Sequence, residues 1–171
     1  MTIPLPIETE RLLLRPLEAR DVEPMLAVYG DAEVMRFIPG GVLDAAATAR
    51  VLSSYVRAQE TRGFAVWGVV LKSSGRLIGD AGFNVFAATG EPELGYSLAR
   101  AAWGHGYASE AARGCVDAAF AHLACARVVA LVDVDNDASQ RVAERIGMAR
   151  LETIDAHGRP HVLFERRREA A

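Results

Sequence analysis

Hydrophobic and polar residues repeat along the chain with two periods, and the change of period divides it into elements. "TERLLLRPL" reads as a first strand ending near Pro16. Beyond it the apolar positions fall three and four apart. Val22, Met25, Leu26 and Tyr29 share one face of a helix that Asp21 caps and Gly30 closes. A shorter helical piece, "DAEVMRF", precedes Pro39, Gly40 and Gly41. Asp44 caps a longer helix with Thr48, Val51, Leu52, Tyr55 and Val56 inward, ending before Gly63. "FAVWGVVL", "RLIGDAGFNVF" and "PELGYSL" then take strand character and predict an antiparallel meander. Gly79, Gly82 and Gly95 inside these strands mark bulges or close backbone approaches. A helix from about Tyr107 to Leu123 is apolar along Ala108, Ala112, Cys115, Val116, Ala119 and Leu123, and Arg113 and Asp117 can pair on its opposite side. "RVVALVDV" has the unbroken apolar character of a central strand. "ASQRVAERI" is a last helix ended by Gly147, and "ARLETID" and "PHVLFERR" flank "AHGR" as a hairpin.

In chain order the elements run β-α-α-β-β-β-α-β-α-β-β. Only the stretch from Pro92 to Val134 has the form of a β-α-β crossover. The pattern predicts an α/β (α+β) fold: one mixed sheet with helices packed on it, not a doubly wound parallel sheet. Its length suits a single domain over residues 1–171.

Composition narrows the function. The chain is 51% hydrophobic and 24% charged, with a net charge of −3. Those values fit a soluble globular protein. They argue against nucleic-acid or membrane-surface partners, which require clustered Lys and Arg. The terminal "ERRRE" is a short basic run balanced by glutamates and reads as a solvated tail. "MTIPLPIETERLLL" lacks the basic start and apolar stretch of a leader, and no apolar run approaches membrane-span length. Cys115 and Cys125 form no C-x-x-C pair and suit free thiols in a reducing cytoplasm, a disulfide between them being the weaker alternative. The four histidines have no zinc-site spacing, so no metal is expected.

The candidate chemistry lies in "WGHGYASEAA". One reading is a tight turn before a helix, with glycines chosen for positive φ. A second is a dinucleotide fingerprint, since "GHGYAS" gives G-x-G-x-x-S. The third glycine is missing, however, and the motif follows three strands where that fold would open with it. A third is a diphosphate cradle. Gly104 and Gly106 let successive N–H groups converge, the helix starting near Tyr107 adds its positive dipole end, and Ser109 offers a hydroxyl.

"ELGYSLARAAWGHGYASEAA" resembles the coenzyme-A-binding motif of the GNAT superfamily of N-acetyltransferases, in the form found in its RimJ/RimL-like ribosomal-protein branch. "DVDNDASQRVAERIGM" resembles a second family motif, with Asn136, Ser139, Val142, Glu144, Gly147 and Met148 matching. The opening "TERLLLRPLEARD" and the strand "GRLIGDAGF" also resemble the branch, so the likeness covers nearly the whole chain. Ala101 departs from the broader [QR]-x-x-G-x-[GA] pattern, which weakens the side-chain part of the match and not the loop.

The resemblance implies a mostly antiparallel sheet of about six to seven strands with about four helices, splayed at a central parallel pair. It implies an acetyl-CoA-dependent transfer of acetyl directly to a primary amine, of a protein N-terminus or a small molecule, by a cytoplasmic monomer or homodimer. The alternative within this fold is a non-catalytic acyl-CoA-binding or sensing protein. Carried onto this chain, the amides of His105, Gly106, Tyr107, Ala108 and Ser109 would hold the pyrophosphate, with Trp103 packing to fix the loop at Gly104. Backbone groups around Ser97 and Leu98 would pair with the pantetheine arm. Asn136 would bond the pantetheine or a water, or else cap the following helix. Ser139 could donate to the departing coenzyme A thiolate, or be a first-turn serine with no chemistry. Glu93 is the candidate base, ahead of Glu91 and Asp80. Arg36, Phe37 and Tyr55 are candidate acceptor-lining residues.

Overall fold

The computed structural model describes residues 1–169. Its strands are β1 (Ile7–Glu8), β2 (Leu12–Arg15), β3 (Val66–Leu71), β4 (Leu77–Val85), β5 (Pro92–Leu98), β6 (Arg127–Asp133), β7 (Ala149–Ala156) and β8 (Arg159–Arg167). Its helices are α1 (Val22–Tyr29), α2 (Ala32–Met35), α3 (Ala45–Arg62), α4 (Tyr107–His122) and α5 (Asp137–Arg145). The strands form one sheet in the order β1-β2-β3-β4-β5-β6-β8-β7. Every neighbouring pair is antiparallel except β5 and β6, which run parallel and touch at a single register pair, Glu93 with Val129.

Burial follows the periodicities. Ala112, Cys115, Val116 and Ala119 of α4 pack on Trp67, Phe83, Leu94 and Phe164 from the sheet. A second cluster under α1, α2 and α3 joins Leu17, Met25, Val28, Tyr29 and Leu52. These two layers hold β5 between α4 and the N-terminal helices.

Several local expectations change. The sheet has eight strands, not six to seven, because "IETERLLL" reverses: Thr9 N–H donates to Leu12 O at 3.0 Å and separates β1 from β2. Among the described residues there are five α-helices, where about four are expected, because the one-turn α2 stands apart, capped by Asp31 through the Glu33 N–H. Asp21 does not cap α1. Its carboxylate takes two bonds from Arg15, at 2.7 and 2.8 Å, and one from the Glu18 N–H. A bidentate guanidinium outcompetes a helix amide for a carboxylate. Val56 is 37% exposed on the outer side of α3. Arg113 turns away from Asp117 to the Arg145 carbonyl (3.3 Å), and Asp117 faces Arg166. Gly95 is neither bulged nor crowded. Gly79 is crowded: at φ +148°, a Cβ there would stand 2.1 Å from Ser97 O. The hairpin turns on two residues, His157 and Gly158, both at positive φ as a tight hairpin of this hand requires.

Candidate active site

After Glu93 and Val129, β5 and β6 part, leaving their facing backbone without a partner strand. Ser97 N–H donates to Asp80 Oδ1 at 2.9 Å, towards β4. Strand alternation therefore turns Tyr96 and Leu98 backbone groups towards the opening on the β6 side. The wedge is a cavity of about 90 Å³ lined by Phe37, Gly95, Tyr96, Asp133, Asn136 and Ser139 among others.

One end of the wedge meets the glycine loop. A short 3₁₀ turn, Arg100–Ala102, leads into Trp103, whose indole N–H donates to Leu98 O at 2.7 Å. Trp103 is otherwise 48% exposed. Gly104 and Gly106 take φ of +77° and +80°, and α4 begins at Tyr107 with no side-chain cap. Its first-turn N–H groups, including those of Tyr107, Ala108 and Ser109, are thus free of helix partners. His105 is exposed, its ring stacked on Tyr107 at 5.4 Å and its Nδ1 2.7 Å from Trp103 O. Ser109 Oγ is buried and accepts from Arg145 Nη1 at 3.3 Å. Beyond the loop a broader cavity of about 740 Å³ runs along the outer side of α4, past Gly106, Ser109, Arg113 and Arg145.

Asn136 caps α5, its Oδ1 accepting the Ser139 N–H at 3.1 Å. Asn136 also lines the wedge. Tyr96 O–H donates to Ser139 Oγ at 3.1 Å. Burial pushes the Tyr96 phenol up to about 12, with the Ser139 bond opposing. Tyr96 was not singled out from sequence, although it lies in the quoted "ELGYSL" strand; its partner is 43 residues away.

The three acids separate clearly. Glu91 is locked to Arg127, at 2.6 and 2.8 Å, and that pairing holds its carboxyl below the ordinary range. Asp80 is buried, with Tyr29 O–H donating to Oδ2 and Ser97 N–H to Oδ1. Burial raises it to about 6, moderated by those two donors. Glu93 is half-buried at the last contact of β5 with β6. Its carboxyl is raised by burial, with His161 opposing, and it has no hydrogen-bond partner among the described residues. Phe37 lines the wedge, with the exposed Arg36 guanidinium 5.1 Å from its ring centre and that of Arg159 at 6.0 Å. Tyr55 instead lies by Tyr29 and Asp80, where burial and the Asp80 charge raise its phenol. Among the described residues no three His, Cys, Asp or Glu side chains group to hold a metal, and no helix is long and apolar enough to cross a membrane.

Residues 11–149 match the acetyltransferase (GNAT) domain, and the chain belongs to that family. It is 32% identical over 144 residues to the uncharacterized N-acetyltransferase YoaA of Bacillus subtilis, covering 82% of this chain and 81% of that protein. An acetyltransferase from Agrobacterium tumefaciens superposes with a TM-score of 0.84 at 29% identity, over 98% of this chain and 96% of that one. RimL, a ribosomal alpha-N-protein acetyltransferase in complex with coenzyme A, shares the fold with a TM-score of 0.80 at 18% identity, over 98% of each chain.

Proposed function

We propose that the chain is an acetyl-CoA-dependent N-acetyltransferase of the RimJ/RimL-like branch, acting in the cytoplasm on a primary amine of a protein N-terminus or small molecule. The observation that carries this reading is the wedge between β5 and β6, with an uncapped helix start at one end and the Tyr96–Ser139 pair inside. The coenzyme fits the residues present: positive φ at Gly104 and Gly106, and open space where a Gly104 or Gly95 side chain would stand, let a ligand approach the backbone closely.

Acetyl-CoA supplies an acetyl group activated as a thioester. The amides of His105 to Ser109 bind the diphosphate, and Trp103 braces the loop through Leu98 O. The edge of β5 around Ser97 and Leu98, chiefly the cleft-side groups of Tyr96 and Leu98, pairs with the pantetheine beside Asn136. Glu93 receives the proton of the incoming ammonium, its raised carboxyl bringing it nearer to working pH. An α-amine, with a reference value near 8, asks less of that base than a lysine near 10.4. Ser139 donates a hydrogen bond to the departing thiolate, which takes up the second proton released by the acylated nitrogen; because Tyr96 donates to the serine oxygen, the serine hydrogen is free to point into the wedge. Phe37, with Arg36 beside its ring, lines the acceptor side, and Tyr55 supports it from behind, next to Tyr29 and Asp80.

Ligand-induced thermal shift tests the cofactor, and Ser139→Ala tests the chemistry. Coenzyme A and acetyl-CoA should raise the melting temperature where NAD does not. Ser139→Ala should lower kcat about 10- to 100-fold with acetyl-CoA binding retained. A preference for NAD contradicts the proposal.

A further inference from the structure

The opening hairpin reaches the glycine loop across the fold. A Cβ on Gly114, in the middle of α4, would stand 2.9 Å from Thr9 Cγ2, so the β1–β2 turn lies flush on the helix. From that turn Arg11 Nη1 donates to His105 O at 2.9 Å, and its guanidinium stands 4.6 Å from the Tyr107 ring centre. Glu110, in the first turn of α4, is held on both oxygens. Oε1 accepts from Thr9 O–H (2.6 Å) and the Arg11 N–H (2.7 Å), and Oε2 accepts from Arg11 Nε (2.7 Å).

We infer that Arg11 is a positioning residue for coenzyme binding, aiming the glycine-loop amides and neutralising the one acid in the first turn of α4. The inference rests on the proposed diphosphate role of that loop. Two physical arguments support it. A trans peptide is planar with its C=O and N–H opposed, so pinning His105 O aims the Gly106 N–H to the other side. Glu110 would repel an anion at the helix start, where the dipole otherwise attracts one. Burial alone would raise the Glu110 carboxyl, but Thr9 and Arg11 more than offset it and keep it ionised. Its charge therefore has to be met, and Arg11 meets it. The Thr9 and Arg11 of the opening motif and the Glu110 of the loop motif thus form one device.

Calorimetric titration of coenzyme A into wild type, R11M, R11K, E110Q and the R11M/E110Q double variant tests this, alongside acetyl-CoA kinetics. R11M should weaken coenzyme A binding about 10-fold or more, as the loss of a charge-assisted bond implies. The KM for acetyl-CoA should rise in parallel, with kcat at saturation changed far less. R11K, which restores charge but cannot span both partners, should recover part of the loss and covers the case in which R11M does not fold. The double variant should bind more tightly than R11M, because the unpaired acid is gone; a purely structural tie predicts equal or weaker binding. Wild-type affinity in R11M, or a double variant no better than R11M, overturns the inference and leaves the proposed function standing. A wild type that binds no coenzyme A overturns both.

Discussion

Asp80 and Glu93 are two acids on neighbouring strands whose surroundings give them different work. Asp80 is enclosed, with donors on both oxygens and no cation against it. Its folded value of about 6 lies above the ordinary aspartate value of 3.8, so the folded protein holds the proton more tightly than the unfolded chain. The stability this adds is complete below about pH 4 and is lost as pH rises through about 6, on the order of 3 kcal/mol in all. Asp80→Asn should remove that dependence. Melting temperatures of wild type should fall relative to the variant between about pH 4 and 7, and parallel curves would refute the assignment. Glu93 lacks such donors, and a base must be unprotonated. Turnover should therefore rise with pH along a limb above the ordinary carboxylate range. Glu93→Gln should erase that limb and lower kcat about 100-fold; unchanged turnover would leave a water relay as the base. Sequence could rank Glu93 first because it sits on the strand before the glycine loop. It could not show that Glu91 is spent on Arg127, or that Tyr29, a core residue by its helical spacing, is the donor to Asp80. Those partners are 36 and 51 residues away.

At the level of elements, local chemistry predicts best where no distant group competes. Asp44 caps α3 through the Ala47 N–H, and Gly63 ends it in the left-handed conformation. Asp21 fails as a cap because Arg15 claims it. The β4–β5 ladder depends on a close approach that sequence marked only as a glycine inside a strand. Gly79→Ala combines a positive φ with a Cβ against Ser97 O. It should destabilise the protein by about 2–4 kcal/mol, a melting-temperature drop of roughly 5–15 °C. Because Gly79 is in register with Leu98, coenzyme A affinity should fall with it. A variant as stable as wild type would mean that the strands part there without cost.

For the whole molecule, the order of motifs along the chain made the GNAT fold legible, since strand, glycine loop, helix and the "NDAS" turn must converge where the parallel pair opens. The link from Thr9 and Arg11 to Glu110 was invisible, because the hairpin and the helix meet only after the sheet is assembled. The proposed acceptor walls come from the N-terminal helical region and the β7–β8 hairpin, which no spacing rule connects, and fold alone does not name the acceptor. The most direct measurement is therefore release of coenzyme A thiol from acetyl-CoA over a panel of amines: N-terminal peptides, lysine peptides, polyamines, amino acids and aminoglycosides. At least one class should accelerate release and gain one acetyl group per thiol freed. Tight coenzyme A binding with no amine accelerating release would contradict it and favour a non-catalytic acyl-CoA-binding protein.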